Sequence, residues 1–462
     1  MLMSQDGPLI DLVSRGKQDE SLLSEKMEDS MFGSDHSKHT NFSRGSISVD
    51  YKGNGNWGSS IKFIIPKDGD LLSSIYLNVK LPEISTDDIQ GLTEVEKADH
   101  RVKWAEFLGN GIIDKCILRI GGEKIDELDG VYMQIHTDLY DDDWNKLMML
   151  GHDESLNLPQ KRILSEELYI PLKFWFSDSI KRALPLVALQ HHDVEIEIKF
   201  RNFHQCYSVL KKLAGGEYVY SSKKLKIKRF DKITLEANMI YLDIKERKKV
   251  ATSEHKILIT QVEKREMAIS SDDSLELDLN HPVKELIYFM QPKRNVEQGE
   301  IFNFSSKLRY LSSDYEDITE YDNTSYTLMP RYHLLDRARI MFNGKERVSW
   351  KNYKYYYYLQ NYEHFRNSAQ HYVYIYSFSV RPTSDNPTGS CNFSRIDNAQ
   401  LQFKLRNVPK DPLDIKDSLG VDKTIEINGS IKSTNPGMIT LYATNYNYLI
   451  IKGGMGGLAF ST

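Results

Sequence analysis

Several short motifs contain residue types that proteins use for catalysis or for metal binding. His191, His192 and Asp193 are consecutive, and His204 lies nearby. Adjacent side chains on a strand point to opposite faces, so these groups do not converge on one ion, and we interpret them as solvated groups at the end of a strand. Asp141–Asp143 lacks the alternating ligands and the following glycine of an EF-hand loop, which favours a solvated helix face or loop.

Two further motifs resemble phosphate loops and nucleophile sites without their partner residues. The glycine-rich run at 453–457 is not followed by Lys-Ser/Thr or by a dinucleotide-binding helix, so we expect a tight turn with close backbone packing. Cys391 would need a neighbouring base to act as a nucleophile, and no sequence feature indicates one. We therefore predict no catalytic residue, no metal site and no cofactor, and a protein that is not an enzyme.

A dense tyrosine cluster is the more informative feature. Its members are Tyr353, Tyr355, Tyr356, Tyr357, Tyr358 and Tyr362. Four consecutive tyrosines cannot all face one core, and tyrosine is enriched at interfaces because its ring is apolar and its tip polar. We predict that this segment is substantially buried only when chains assemble. A surface that stacks sugars or nucleotides is the alternative, although the flanking Lys351, Lys354 and Arg366 are too few for a nucleic-acid track.

The composition indicates a β-rich chain with a sizeable core. The 462 residues include 27 Tyr, 18 Phe and 5 Trp, and aromatic residues favour strands. Lys and Arg total 60 against 65 Asp and Glu, and this near balance disfavours a nucleic-acid-binding protein. Three cysteines give no disulfide framework and fit a reducing compartment. We expect neither a signal peptide nor a transmembrane segment.

Apolar residues alternate with polar ones in several segments, which is typical of half-buried strands. The alternating apolar rows begin at Ile47, Ile75, Val194, Leu275 and Ala399. Turn residues separate the rows, and Asn343-Gly344 predicts a hairpin because both residues tolerate positive φ. The pattern predicts sandwiches of the jelly-roll type, with long loops at 140–170 and 296–332 and a shorter aromatic loop at 353–372.

Helical patterns are few. Val95, Ala98, Val102, Ala105 and Leu108 would share one helical face, and a second pattern predicts another helix from about Val131 through Leu139, in a segment reaching about Leu150. The charged segment 244–253 predicts a short helix between two strand-rich halves. The predicted organisation is a flexible N-terminal arm over 1–40, one jelly roll over 41–243, an interdomain helix and linker over 244–254, and a second jelly roll over 255–462.

Taken together, several segments resemble the major capsid proteins of nucleocytoplasmic large DNA viruses. Each segment alone is weak, but their order and spread along the chain make the resemblance specific. The segments are KW at 103–104, LRIGG at 118–122, IPLKFWF at 170–176, ALPLVALQ at 183–190, YLD at 241–243, ER at 246–247, HPVKEL at 281–286, MFNG at 341–344, YIYSF at 374–378, PTGSCNFSRIDN at 387–398, YATNY at 442–446 and GMGGLA at 454–459.

The resemblance implies an all-β fold of two consecutive eight-stranded jelly-roll β-sandwiches with a few short helices. It also implies a homotrimer that forms a pseudo-hexagonal capsomer of an icosahedral shell, with the tyrosine cluster as candidate trimer contacts. The ALPLVALQ segment would enter a core strand. The motif positions with an implied structural role are Trp104, Gly121, Gly122, Pro171, Trp175, Pro185, Asp243, Arg247, Pro282, Gly344, Gly389, Asn392, Arg395, Asn445, Gly454, Gly456 and Gly457.

The implied partners are further copies of the chain in the capsomer and in neighbouring capsomers. Minor capsid proteins are also implied partners, with the N-terminal arm as the candidate contact, whereas direct genome binding is not expected. The implied location is the virion capsid, after synthesis in the host cytoplasm or viral factory. Two alternatives stay open: a scaffold protein of the same fold on immature virions, and a carbohydrate-binding sandwich or glycosidase, which would need two facing carboxylates.

Overall fold

The fold is built from strands with short helical connections. The computed structural model describes residues 9, 40–140, 144–213, 216, 218–269, 274–305, 333–365, 367, 372–406, 413–416, 422–425 and 437–460. Residues 1–8 and 10–39 of the predicted arm, the Asp141–Asp143 run, Arg366 and most of the predicted 296–332 loop lie outside these ranges.

Eight strands form the first jelly roll, with accessory strands between them. The strands of this half are β1 (Phe42–Val49), β2 (Lys52–Gly53), β3 (Ser60–Ile64), β4 (Leu71–Lys80), β5 (Ile84–Ser85), β6 (His100–Trp104), β7 (Ile113–Ile120), β8 (Glu123–Leu128), β9 (Arg162–Ile163), β10 (Glu167–Pro171), β11 (Leu184–Pro185), β12 (Val194–Phe200), β13 (Tyr207–Lys212), β14 (Tyr218–Tyr220) and β15 (Lys232–Leu242).

The second half repeats the scheme. Its strands are β16 (His255–Ala268), β17 (Ser274–Glu276), β18 (Pro282–Pro292), β19 (Leu335–Phe342), β20 (Lys345–Asn352), β21 (Tyr374–Ser377), β22 (Cys391–Asn392), β23 (Ala399–Leu405), β24 (Leu413–Lys416), β25 (Asp422–Ile425), β26 (Gly437–Lys452) and β27 (Met455–Leu458). The helices are Glu94–Lys97, Leu108–Gly111, Gly130–Tyr140, Trp144–Met149, Glu154–Asn157, Trp175–Asp178, Ile244–Thr252, Lys293–Glu297 and Gln360–His364, the last preceded by a π-helical turn at Tyr355–Leu359.

The two halves share one topology. In the first, the sheets run β1-β15-β4-β10 and β3-β12-β7-β8; in the second, they run β16-β26-β18-β21 and β17-β23-β19-β20. Counting the eight main strands of each half, both sheet pairs have the order 1-8-3-6 and 2-7-4-5, the strand order of a jelly roll. The predicted fold class, two consecutive jelly rolls, is thus confirmed. Moreover, β8 and β20 occupy equivalent edge positions, as do β1 and β16.

The alternating rows predicted from the sequence form the sandwich cores. Ile75, Leu77 and Val79 of β4 are fully buried, and so are the apolar residues of β12. One apolar core runs from the first jelly roll into the second through residues such as Ile259 and Ile287, whereas a separate core fills the second sandwich. The continuous core means that the two jelly rolls pack as one unit.

The helix predicted over 95–108 is wrong. Thr93 caps a single helical turn, Glu94–Lys97, and leaves Val95 82% exposed. The chain then extends into β6, where Val102 pairs with Val209 of β13 and Trp104 is buried. Strand pairing with a distant segment outweighed a local periodicity that fits a helix equally well, and β-branched and aromatic residues favour that outcome.

Other local predictions have mixed outcomes. The helix expected around Val131–Leu139 is present as Gly130–Tyr140, and the Asn343-Gly344 hairpin turn joins β19 to β20 with φ values of 47° and 76°. The core strand expected over 183–190 is only the two-residue β11, followed by a 3-10 turn at Leu186–Ala188. Pro185 lacks the backbone N–H that a longer ladder would use.

We predict that Gly130→Ala destabilises the protein by several kcal/mol. An added Cβ would lie 1.9 Å from the carbonyl oxygen of Asn110 and 2.7 Å from that of Ile113, both backbone atoms that cannot move without shifting the helix. Gly122→Asn is the matched control, because Gly122 has φ of 84° with open space around it and asparagine tolerates that conformation. Chemical denaturation measures both variants, and equal stability of the two would contradict the prediction.

Candidate functional site: the seam between the jelly rolls

A buried polar cluster joins the first jelly roll to the second. Asp129, which follows β8, accepts hydrogen bonds from the Tyr442 hydroxyl at 2.8 Å and from the backbone N–H of Tyr132 at 2.8 Å. The Lys264 Nζ atom lies 2.8 Å from the second Asp129 carboxylate oxygen. Tyr442 and Lys264 belong to β26 and β16, so this carboxylate links strands of the second jelly roll to the end of a strand of the first. Burial and the Asp129 carboxylate raise the pKa of Tyr442 well above its usual value.

The helix Gly130–Tyr140 extends this seam. The Tyr140 hydroxyl donates a 2.5 Å hydrogen bond to Glu285 of β18, and the Tyr132 ring packs edge-on against Tyr442 at 5.4 Å. Lys284 lies 5.0 Å from the centre of the Tyr140 ring and 3.7 Å from the Glu285 carboxylate. Because Glu285 is completely buried, this phenol and this ammonium group compensate part of the cost of burying its charge. The helix therefore fixes the second jelly roll against the first.

The two jelly rolls also meet edge to edge, where β8 packs beside β16. The Gln261 side chain donates to the Ile125 carbonyl, and the backbone N–H of Val262 donates to Asp126 Oδ1 at 3.1 Å. Burial raises the pKa of Asp126 to about 7, although the hydrogen bonds from Val262 and Glu127 oppose that shift. The edge strand of the first sandwich is thus covered by the edge strand of the second.

A third contact involves the histidines singled out in the sequence. The His191 backbone N–H donates to the Gly454 carbonyl at 2.9 Å, and the Gly456 N–H lies 3.2 Å from His192 Nδ1. The His191 side chain is exposed, as expected, but His192 is half-buried against the glycine-rich hairpin turn between β26 and β27. Within the described ranges no group of three His, Cys, Asp or Glu side chains could hold a metal ion.

The tyrosine cluster divides into two sets, and the prediction that it is buried only on assembly is wrong for one of them. Tyr353, Tyr356 and Tyr357 are buried in the core of their own chain. The Tyr356 hydroxyl donates to the Ala338 carbonyl at 3.0 Å. The segment is helical, not a loop, and its π-helical turn points the adjacent Tyr356 and Tyr357 rings inwards, which the run of tyrosines did not reveal.

The second set of the tyrosine cluster faces outwards. Tyr358 and Leu359 are each 42% exposed, and Tyr362 is 86% exposed, while Tyr355 is half-buried. These three exposed side chains lie within one helical turn and a half of each other. Tyr358 and Tyr362 therefore remain candidate contacts between chains, and the exposed Leu359 lies beside them.

The motif positions lie mainly at core, turn and seam sites. Trp104 and Trp175 are buried, Asn445 donates to Glu263 at 2.6 Å, and Asp243 caps the helix Ile244–Thr252. Arg247 of that helix lies 2.9 Å from Asp70. The remaining positions are Gly121, Gly122, Gly344, Gly389 and Gly454 with positive φ, Pro171, Pro185 and Pro282 in strands, Asn392 capping a 3-10 turn, Arg395 in that turn, and Gly456 and Gly457 in β27.

Comparison with known proteins identifies the family. Residues 30–243 match the family described as major capsid protein N-terminus, and residues 246–457 match the one described as large eukaryotic DNA virus major capsid protein. The chain belongs to the family of large eukaryotic DNA virus major capsid proteins. The major capsid protein of Pyramimonas orientalis virus is 29% identical over 98% of this chain and 99% of its own length, as is that of Paramecium bursaria Chlorella virus 1. The crystal structure of PBCV-1 VP54 matches with a TM-score of 0.74 and 25% identity, covering 94% of this chain and all of that one.

The family assignment places this capsid protein in the virion shell, as a structural component of a large DNA virus. No helix in the described part of the chain is long and apolar enough to cross a membrane. Sequence reasoning missed the residues of the seam. Tyr442 and Asn445 lie in the YATNY motif and Glu285 lies in the HPVKEL motif, but no local pattern marked Asp129 or Lys264, which meet each other and Tyr442 across more than 100 residues of sequence.

We expect Tyr442→Phe to destabilise the capsid protein by about 2 kcal/mol, because the buried Asp129 carboxylate loses one charge-assisted hydrogen bond. Tyr362→Phe makes the same chemical change at an exposed hydroxyl and should leave stability within about 0.5 kcal/mol of the parent. Denaturant titration followed by circular dichroism measures both. Equal effects would show that the seam hydrogen bond contributes nothing to stability.

The raised pKa of Asp126 predicts a pH dependence. Its pKa is about 7 in the fold against an ordinary value of 3.8, so the folded state loses stability as the pH rises from 3.8 to about 7 and carries the full penalty above pH 7. Asp126→Asn should therefore gain stability at pH 8, on the order of a few kcal/mol, and show a smaller rise in unfolding temperature between pH 8 and pH 5.5.

Asp278→Asn is the control for this pH dependence, because that side chain is 88% exposed. Scanning calorimetry at both pH values provides the comparison. Parallel pH profiles for the parent and Asp126→Asn would contradict the role of this carboxyl.

Proposed function

We propose that three copies of this capsid protein close into a pseudo-hexagonal capsomer that tiles an icosahedral shell. The observation that carries the proposal is the edge contact between β8 and β16. The equivalent strands, β20 and β1, are the outer edges of their sheets, and no described strand pairs with their free sides. An uncovered sheet edge favours association, so it is usually covered or charged.

The contact between β8 and β16 within one chain is the pattern for the contact between chains that would close the trimer. If β20 of one chain packs beside β1 of the next as β8 packs beside β16, each chain offers one edge and accepts another. This is a heterologous contact, which forms a closed ring when the rotation is suitable. Because each chain contributes two similar jelly rolls, three chains give six sandwiches around one axis.

The connections after the edge strands support the same arrangement. The helix Gly130–Tyr140 follows β8 and buries Val131, Tyr132, Ile135 and Leu139. The helical segment after β20 occupies the equivalent position but leaves Tyr358, Leu359 and Tyr362 exposed. In the proposed trimer this segment packs on the first jelly roll of the next chain, as Gly130–Tyr140 packs on the second jelly roll of its own.

The remaining features of the proposal follow from the family. We propose synthesis in the host cytoplasm or viral factory, no catalytic activity, and minor capsid proteins as additional partners, with residues 1–40 as the candidate contact. The domain limits of 41–243 and 255–462, with the linker 244–254 between them, belong to the same proposal.

Light scattering coupled to size-exclusion chromatography tests the trimer. The purified chain of 53.5 kDa should elute at about 160 kDa, and imaging of that peak should show pseudo-hexagonal particles. The double variant Leu359→Asp, Tyr362→Asp should shift most of the protein to about 53.5 kDa, because it places two charges in an apolar contact.

Ile227→Asp is the control for a general effect of an exposed aspartate, since Ile227 is 77% exposed on a different connection. It should remain trimeric. Circular dichroism should show that all variants are folded. A folded parent that is monomeric would count against the capsomer, and a trimeric double variant would remove the tyrosine segment from the interface.

A further inference from the structure

The outer face of the second jelly roll presents a tryptophan surrounded by cations. Trp350 of β20 is half-buried, and the guanidinium carbons of Arg339 and Arg337 lie 4.8 and 5.5 Å from its ring centre. The Lys404 Nζ atom lies 5.6 Å from the same ring centre. We name Trp350, Arg337, Arg339 and Lys404 the Trp350 platform. Each cation lies against the electron-rich face of the ring, which is a favourable contact. Arg339 also donates to Gln402 at 2.8 Å and to Glu346 at 2.8 Å, so Arg337 and Lys404 are the two cations with more N–H groups left for a ligand.

A register irregularity places Trp350 on this face. The pairing of β19 with β20 shifts between Ala338 and Ile340, so β20 carries an extra residue opposite this stretch. Val348 points into the core, yet Trp350, two residues later, contacts outward-facing arginines. Bulges of this kind redirect side chains and often lie beside functional sites.

The charges on this face are less neutralised than on the equivalent face of the first jelly roll. There Lys62, Lys115 and Lys199 each lie within 3 Å of a carboxylate oxygen. In contrast, Lys404 has no salt bridge to any described residue. It lies directly opposite a second cation, Arg337, across the β19–β23 pair. Like charges facing each other across strands destabilise a sheet, and a bound anion would relieve this.

The two other cations of the platform have carboxylates only at its rim. Arg337 has one carboxylate contact, with Asp336 at 3.7 Å, and Arg339 lies 2.8 Å from Glu346. These rim carboxylates leave the centre of the platform, between Arg337 and Lys404, positively charged. Two cations, Arg337 and Lys404, can therefore pair with one or two ligand carboxylates.

We propose that the Trp350 platform binds an acidic segment of another polypeptide. Arg337 and Lys404 pair with its carboxylates, while the exposed part of the Trp350 ring contacts an adjacent aliphatic stem. Asp336 and Glu346 at the rim would repel a dense polyanion such as a nucleic acid, whereas spaced carboxylates fit between them. The equivalent face of the first jelly roll stays open beside the β8–β16 contact, with Lys115 52% exposed, so the platform would remain accessible in the trimer.

Fluorescence anisotropy on the full-length protein in its native assembly state tests this proposal. The probe is a labelled hexaglutamate peptide, with the same label on hexaglutamine as the blank. We expect binding of hexaglutamate that weakens as salt rises from about 20 to 150 mM, because the contact is electrostatic. The variant Arg337→Gln, Lys404→Gln should weaken binding at least tenfold, and Trp350→Ala severalfold.

The control Lys62→Gln, Lys115→Gln removes the same charge from the first jelly roll and should bind hexaglutamate as the parent does. Circular dichroism and the size-exclusion profile confirm that each variant is folded and assembled as the parent is. Absence of binding to the parent, or equal loss in the control variant, would overturn the proposal. Tighter binding of a single-stranded hexanucleotide than of hexaglutamate would also overturn it, in favour of a general polyanion site.

Discussion

Every β-sandwich has edge strands with unpaired backbone groups, and the organisation of this chain depends on how those edges are covered. The chain covers two of them internally, by packing β8 of the first jelly roll beside β16 of the second. The same topology leaves the equivalent strands β20 and β1 at the outside. Two sandwiches joined in this way satisfy one edge contact within the chain and leave a second pair of edges, which the proposed trimer would bring together.

The seam that holds this arrangement combines a continuous apolar core with buried polar contacts, and the polar contacts favour a single geometry. Asp129 needs donors from two strands of the second jelly roll, and Glu285 needs Tyr140 from the first. An apolar seam would tolerate small rotations, but a buried carboxylate that loses its donor costs free energy at once. Buried ion pairs often add little net stability, so we interpret these as fixing the relative orientation of the jelly rolls. In the proposed trimer, a ring of six sandwiches closes only if that orientation is constant.

The sequence predicted the strands in which apolar and polar residues alternate and the turns that separate these strands. The apolar rows of β4 and β12 are buried. They specify the register of these strands, because a shift of one residue would expose every side chain in the row. The segment 95–108 was misassigned because its apolar spacing fits a helix, and only its pairing with β13 decides for a strand. The tyrosine run could not be divided into buried and exposed rings, since the π-helical turn sets their directions. The seam role of Asp129 was not predictable, because Tyr442 and Lys264, which bind it, are far along the chain.

The two jelly rolls share one fold but differ in which side chains they bury and which they expose at equivalent positions. After β8 the connecting helix is rich in side chains that pack on the same chain, and after β20 the equivalent segment keeps Tyr358, Leu359 and Tyr362 outside. On the outer faces, the first jelly roll neutralises its lysines with its own carboxylates, while the second surrounds Trp350 with cations. The two jelly rolls share one topology, and differences at equivalent positions distinguish surfaces used within the chain from surfaces that the proposed trimer leaves to other chains. The near-neutral composition fits this division, because copies that must pack side by side gain from a low net charge.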